Sequence, residues 1–132
     1  MKKLIFGMML ALTACVFTSC QKGENFFNGT WQYVGEYRYE DKYGDYSYDF
    51  YTVELTLAKK NGSASVVVDY PKEPKNSYSR TGSYTFYNDN TIGIIFPETK
   101  DYDEWSCRAH KNAEDGTLYC DDWGTFTKIK GK

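Results

Sequence analysis

The sequence predicts an all-β domain, an antiparallel up-and-down meander of about eight strands that closes into a barrel. Aromatic residues, which favour strands, make up 18% of the chain and include 13 tyrosines. Apolar and polar residues alternate with a period of two, and turn-forming residues separate the alternating segments at intervals of about ten residues. A β-sandwich is the alternative, but closure is favoured because a barrel leaves no strand edge exposed.

The first two strands follow from this alternation. Within residues 31–40 every second residue is aromatic or glycine, which predicts a strand with one solvent-exposed face. Within residues 46–50 the aromatic residues share one parity, whereas the apolar residues of 51–57 occupy the other. This switch predicts a β-bulge between Phe50 and Tyr51, because a bulge inserts one extra residue into a strand.

The third strand is predicted from its turn. The pair Asn61-Gly62 tolerates the positive φ angles of a type I′ turn. We therefore expect Ala64, Val66 and Val68 to return antiparallel to the second strand and to share one face.

The rest of the chain continues the meander, with prolines ending strands and polar clusters making turns. The predicted segments, in order, are a polar loop from Pro71 to Ser79, a hairpin over 81–96 that turns at Asn88-Asp89-Asn90, a hairpin over 105–120 that turns at 112–116, and a final strand over 124–130.

The first twenty residues have the features of an export signal. A basic start, Met1-Lys2-Lys3, precedes an apolar run over residues 4–17 that is too short to span a bilayer. The following Thr18-Ser19-Cys20 makes the segment resemble a bacterial lipoprotein signal, which implies cleavage before Cys20 and a lipid on its thiol. Cys15 closes a similar motif, but cleavage there would leave a shorter apolar run and an unpaired Cys20 outside the cell.

This assignment divides the chain into a signal peptide (1–19), a lipidated tether (20–28) and a barrel domain (29–132). Residues 21–24, Gln-Lys-Gly-Glu, resemble the charged tetrapeptide that directs lipoproteins of anaerobic Gram-negative bacteria to the outer face of the outer membrane. We therefore expect an outer membrane lipoprotein of the cell envelope, on its periplasmic or surface-exposed face. An ordinary solvated linker is the alternative interpretation of the tetrapeptide.

The start of the first strand, Gly29-Thr30-Trp31, resembles the Gly-x-Trp start of lipocalins. With the signal and the meander, it makes the chain similar to small lipocalin-like lipoproteins of anaerobic Gram-negative bacteria. The resemblance implies structural roles for Gly29 and Trp31, with the tryptophan closing one end of the barrel. The last strand departs from the family, since it lacks the arginine that stacks on this tryptophan.

Two cysteines remain in the predicted mature domain besides Cys20. Cys107 and Cys120 lie on the two arms of one predicted hairpin, and direct pairing of the two centres its turn between residues 113 and 114. In an oxidising compartment we expect a disulfide, which contributes roughly 3 kcal/mol by loop entropy. A metal pair or a redox switch is the alternative, but zinc needs about four ligands and His110 is the only histidine in the sequence.

Composition and motifs argue against several function classes. Without Lys2 and Lys3, 14 basic residues stand against 18 acidic ones, a net charge of about −4, and no basic stripe suits nucleic acid. Cys107 and His110 are three residues apart on a predicted strand, so they point to opposite faces and make a poor catalytic pair. The acidic residues of 101–104 are interpreted as a solvated loop. We expect no catalytic residue, no metal and no cofactor.

Binding is the remaining class of function. Six aromatic residues of the first two strands are candidate ligand contacts: Tyr33, Tyr37, Tyr39, Tyr46, Tyr48 and Phe50. If the strands pair, these rings could line a cup for a small apolar or amphipathic ligand, with phenol hydroxyls to orient it. Alternatively they fill the barrel, whose interior is just wide enough for side chains or one small ligand.

Two functions follow from these alternatives. The first is a lipoprotein that meets the lipid bilayer through the acyl anchor at Cys20 and binds a small apolar ligand inside the barrel. The second is a protein-interaction module of the envelope, an inhibitor or assembly component, that meets its partner through loops at 43–47, 71–79 and 98–103. An open, ring-lined cavity favours the first, and an exposed aromatic patch favours the second.

Overall fold

A computed structural model describes residues 23–129, and over this range the chain forms a closed antiparallel barrel of eight strands. Each strand pairs with the next along the chain, and the eighth returns to the first. The predicted fold class, an all-β up-and-down meander closed as a lipocalin-like barrel, is confirmed, and the sandwich alternative is wrong. The predicted signal peptide (1–19) and the lipidation site Cys20 lie outside the described residues.

A short 3-10 helix, Gly23–Phe26, precedes the strands. In chain order the strands are β1 (Gly29–Glu40), β2 (Tyr46–Ala58), β3 (Ser63–Asp69), β4 (Tyr78–Asn88), β5 (Thr91–Phe96), β6 (Trp105–Asn112), β7 (Thr117–Cys120) and β8 (Gly124–Lys128). The β1–β2 hairpin is the longest, and its pairing with β3 begins only at Thr52 opposite Asp69. The outer end of this hairpin, residues 36–50, therefore projects beyond the neighbouring strands.

The barrel interior is filled by side chains that alternate along each strand, as period-two sequence patterns require. An eight-stranded barrel is just wide enough for such a core. The buried apolar residues of the strands are Trp31, Val53, Leu55, Leu57, Ala64, Val66, Val68, Tyr84, Ile92, Ile94, Phe96, Ala109, Leu118, Cys120 and Phe126.

One end of the barrel, called here the plugged end, is closed by Trp31 and the segment before β1. The Trp31 side chain is fully buried, its indole Nε1 donates to the Phe27 carbonyl at 2.9 Å, and its ring lies 5.4 Å from that of Phe26. Lys128 of β8 supplies the cation over the tryptophan, with Nζ 5.3 Å from the ring centroid, and burial lowers the pKa of its amine. Gly29 has a φ of 130°, and a Cβ there would lie 2.7 Å from Lys128 Cε.

The predicted bulge between Phe50 and Tyr51 is wrong. The β1–β2 register is unbroken, with Phe50 opposite Glu36 and Tyr51 opposite Gly35. Tyr51 consequently faces the interior, whereas the aromatic residues of 46–50 lie on the outer wall. The cause is the projecting end of this hairpin: past the last β3 pair, the inward face of β2 has no neighbouring strand beside it and carries the polar residues Ser47 and Asp49.

The hairpin between β2 and β3 forms as predicted, but its turn is longer than a type I′ turn. Ala58 lies opposite Ser63, so four residues, 59–62, form the loop instead of two. Gly62 takes a positive φ of 66°, and the Asn61 side chain accepts a hydrogen bond from the Ser63 amide at 3.1 Å. The Asn-Gly pair therefore serves the last two positions of a wider loop.

The β6–β7 register also differs from the prediction. Cys120 lies opposite Ala109, and the turn occupies residues 113–116, so its centre falls one residue later than predicted. Gly116 at the end of this turn has a φ of 71°, a conformation that glycine adopts without strain. Cys107 is thus a diagonal neighbour of Cys120 on the inner face, and the two are not directly opposite.

Candidate functional site

The other end of the barrel, called here the mouth, carries the loops β1–β2, β3–β4, β5–β6 and β7–β8. A cavity of about 560 Å³ opens there, within the range of about 300–1,000 Å³ that is typical of small-molecule sites. The lining of this mouth cavity is largely aromatic, with one arginine and three acidic residues: Val66, Tyr78, Arg80, Phe96, Tyr102, Asp103, Glu104, Trp105, Asp122 and Trp123.

The aromatic wall of the mouth cavity is built from strand ends. Phe96 ends β5 and Trp105 begins β6 directly opposite, so both project inward, and their rings stack with centroids 5.4 Å apart at 18°. Trp123, in the β7–β8 turn, lies 4.8 Å from Trp105. Tyr78 at the start of β4 lies 5.4 Å from Tyr102 of the β5–β6 loop. The faces and edges of these rings give an apolar surface that suits a flat ligand.

Arg80 is the cation of the mouth cavity. Its Nη2 donates to the carbonyls of Phe96 at 3.2 Å, Pro97 at 3.1 Å and Asp103 at 2.8 Å. Its guanidinium carbon lies 5.2 Å from the ring centroid of Tyr102. Arg80 therefore holds the two ends of the β5–β6 loop together, while its Nε is buried without a hydrogen-bond partner.

Four further tyrosines pack against one another on the inner face near the mouth and form the tyrosine cluster: Tyr33, Tyr37, Tyr51 and Tyr70. Tyr70 is 5.1 Å from both Tyr37 and Tyr51, stacked on the latter at 24°. Gly35 makes room for this packing, since a Cβ there would lie 2.5 Å from the Tyr51 ring. Desolvation by burial raises the pKa of Tyr37 and of Tyr51, and the Tyr37 hydroxyl has no hydrogen-bond partner.

The six aromatic residues that the sequence offered as ligand contacts are divided between the two faces of the sheet. Three share the inner face of β1: Tyr33, Tyr37 and Tyr39. The other three lie on the outer wall and are 58–65% exposed: Tyr46, Tyr48 and Phe50. Arg38 stacks there on Tyr46, with its guanidinium carbon 4.0 Å from the ring centroid. Strand pairing brings all six into one hairpin, but alternation keeps them from lining one cup.

Cys107 and Cys120 are free thiols in this structure, and the expected disulfide is not formed. Their side chains are nevertheless neighbours inside the barrel. Hydrogen bonding with Cys107, together with burial, raises the pKa of Cys120. A protonated, buried thiol is a weak nucleophile.

A chain of polar side chains that the sequence analysis did not anticipate crosses the outer wall of β5, β6 and β7. His110 Nδ1 lies 3.5 Å from the Thr91 hydroxyl, and its Nε2 lies 3.1 Å from an Asp121 carboxylate oxygen. The His110 and Asp121 side chains are 41% and 49% exposed, so water competes for both. Such an exposed pair contributes about 1 kcal/mol or less. We interpret it as a surface contact.

The principal residues of the mouth cavity were not predicted as site residues, although the sequence holds a signal for them. The sequence of the predicted hairpin over 81–96 puts Gly82, Tyr84 and Phe86 on one face, and the same period of two, extended back by four residues, places Arg80 and Tyr78 on that inner face. An arginine at an inward position is the informative feature, because unpaired charges are rarely placed inside a barrel.

Comparison with known proteins gives no match: no protein-family model, no curated protein and no solved structure is similar to this chain. Between residues 23 and 129 no helix has the length and apolar character to cross a membrane. Over the same residues no group of three or more histidine, cysteine or acidic side chains is placed to hold a metal ion.

Proposed function

We propose that the protein is a membrane-anchored, lipocalin-like lipoprotein that binds one small ring-bearing apolar or amphipathic molecule in the mouth cavity. The observation that carries the proposal is the asymmetry of the barrel. Trp31 and Phe27 fill one end completely, whereas a cavity of about 560 Å³ remains at the other. Side chains that served only to fill the barrel would leave no such space at its mouth.

The chemistry of the wall indicates the kind of ligand. Phe96, Trp105 and Trp123 give a nearly continuous aromatic surface, and aromatic pairs contribute about 0.5–1.5 kcal/mol beyond the area that they bury. The charged groups of the lining are Arg80, Asp103 and Glu104 of the β5–β6 loop, and Asp122 of the β7–β8 turn. An aromatic wall beside polar groups is typical of sites that bind a ring and orient it by one end.

Titration with phenylnaphthylamine, a neutral probe that fluoresces in apolar surroundings, tests this proposal. We expect saturable binding of one probe per barrel, weakened by about tenfold in Trp123→Ala, equivalent to about 1.4 kcal/mol. Tyr48→Ala removes an exposed aromatic ring from the outer wall, and we expect its affinity to stay within about twofold of the wild type. Equal weakening by both variants, or no saturable binding, would contradict the proposal.

The anchor and the family assignment belong to the same proposal. Lipidation of Cys20 would tether the domain to the lipid bilayer of the outer membrane, with the chain between Cys20 and Gly23 as the link, since Phe26 and Phe27 of the predicted tether are buried in the barrel. The lipocalin-like assignment is supported by the closed meander and by Trp31, which lies beneath Lys128 at the plugged end. Tyr33, on the inner face of β1, and Tyr37 and Tyr39, on the inner face of its projecting end, are retained as ligand contacts.

We further propose that Cys107 and Cys120 form a disulfide once the protein is outside the cytoplasm. Both thiols lie on the inner face of the β6–β7 hairpin and are already in hydrogen-bond contact. Oxidation by the thiol-oxidising system of that compartment removes two electrons and two protons and leaves one S–S bond. The bond would close a short loop and add roughly 3 kcal/mol of stability.

The second candidate function is a protein-interaction module, favoured by the exposed rings of Tyr46, Tyr48 and Phe50 on the projecting hairpin. Large apolar groups on a surface mark docking sites when they are contiguous. The mouth cavity favours ligand binding as the first candidate, because protein docking does not require it.

A further inference from the structure

The inference concerns the polar end of the ligand and rests on the proposed function of the mouth cavity. Arg80 lies in the cavity wall among Phe96 and Tyr102, to which its guanidinium carbon is 5.7 and 5.2 Å from the ring centroids. One of its terminal nitrogens satisfies three backbone carbonyls. Its Nε is buried and has no partner. A buried donor without a partner is unfavourable, and Arg80 carries this cost within the cavity wall.

The charge of Arg80 is also uncompensated. Among residues 23–129 no carboxylate pairs with Arg80 within 4.0 Å. Asp103 touches Arg80 through its backbone carbonyl, which carries no net charge. A buried or partly buried cation is normally paired, since removing it from water is costly. A bound anion in the mouth cavity would supply such a partner.

The three carboxylates in the cavity lining do not cancel this preference. Asp103, Glu104 and Asp122 are exposed, whereas Arg80 is partly buried. Water and salt screen exposed charges strongly and buried ones weakly. The acidic rim therefore disfavours ligands with several negative charges, while Arg80 favours one negative group at the aromatic wall.

We propose that the ligand carries a single anionic group, a carboxylate or sulfonate class of head, on an aromatic or alicyclic ring. The ring would pack against Trp105 and Trp123, and the anionic group would accept charge-assisted hydrogen bonds from Arg80. Such bonds are about twice as strong as neutral ones. The binding is non-covalent, and no bond is made or broken.

A matched pair of probes tests this inference. Anilinonaphthalene sulfonate and phenylnaphthylamine share the same rings and differ in the sulfonate. We expect the wild type to bind the anionic probe about tenfold more tightly than the neutral one. Arg80→Met should abolish that preference by weakening the anionic probe alone, whereas Arg80→Lys should retain part of it. Arg108→Met removes an arginine that stacks on Tyr87 outside the barrel, and it should leave both affinities unchanged.

The outcomes separate this inference from the function on which it rests. If neither probe binds saturably to the wild type, the ligand-binding function is wrong. If the neutral probe binds but Arg80→Met weakens both probes equally, Arg80 only holds the β5–β6 loop and the inference is overturned. It is also overturned if the wild type prefers the neutral probe, because the acidic rim then outweighs Arg80.

Discussion

Trp31→Ala should lower the free energy of unfolding by about 3–5 kcal/mol, the usual cost of truncating a large buried aromatic side chain. Trp31 is fully buried, and its indole connects β1 to the segment before it through the hydrogen bond to the Phe27 carbonyl. Removing the indole leaves a cavity beside Phe26 and leaves that carbonyl without its donor. Because small domains are stable by about 5–15 kcal/mol, the loss is a large fraction of the total.

Urea unfolding of the wild type, Trp31→Ala and Trp123→Ala measures this effect. Trp123 lies in the β7–β8 turn and is partly exposed, so its truncation should cost clearly less than that of Trp31. The segment before β1 has a second contact with the barrel that does not depend on the indole. The Tyr84 hydroxyl donates to a Glu24 carboxylate oxygen at 2.8 Å. A loss below about 1 kcal/mol in Trp31→Ala would mean that the plugged end does not depend on the tryptophan.

Among glycine-to-alanine substitutions in the sheet, we expect Gly82→Ala to lower the free energy of unfolding most. A Cβ at Gly82 would lie 2.0 Å from the Ile95 carbonyl oxygen and 3.0 Å from the Phe96 Cα. Both atoms belong to the backbone of β5, so relief requires the two strands to move apart. Forcing extra atoms into a packed interior costs about 1–3 kcal/mol, and a backbone clash belongs at or above the upper end.

Gly93→Ala is the matched control for this prediction. A Cβ at Gly93 would lie 2.5 Å from the Tyr87 hydroxyl, but that side chain lies on the outer wall and is 53% exposed, so it can rotate away. We expect a loss below about 1 kcal/mol. Gly82→Ala should also weaken binding of phenylnaphthylamine, since β4 and β5 carry Arg80 and Phe96. Equal thermal stability of the two variants would contradict the close approach of these strands.

The fold followed from the sequence because its barrel core obeys simple alternation. The residues Val53, Leu55 and Leu57 are apolar at every second position, and each is buried as that pattern predicts. The predicted bulge at Phe50 was wrong because the same reasoning was applied past the end of β3. There the inward face of β2 no longer meets the barrel core, so the pattern of apolar residues does not report burial. Period-two patterns report burial only where a strand has a core to face.

The site was harder to predict than the fold. Tyr33 and Tyr37 do face inward, but the residues of the mouth cavity come from four different parts of the chain that only the closed barrel brings together. Trp105 and Trp123 lie 4.8 Å apart although 18 positions separate them in sequence. Arg80 was overlooked because a charged residue at an inward position contradicts the rule that identified the strands, and such exceptions mark function more often than they mark error.

The most direct test of the central claim, that the mouth cavity binds a ring-bearing ligand, is the indole region of an amide-correlation NMR spectrum during titration with phenylnaphthylamine. The chain has three tryptophans, of which Trp105 and Trp123 line the mouth cavity and Trp31 lies at the plugged end. We expect the Trp105 and Trp123 indole signals to shift saturably while that of Trp31 stays in place. Equal shifts of all three signals, or none at any probe concentration, would contradict the account.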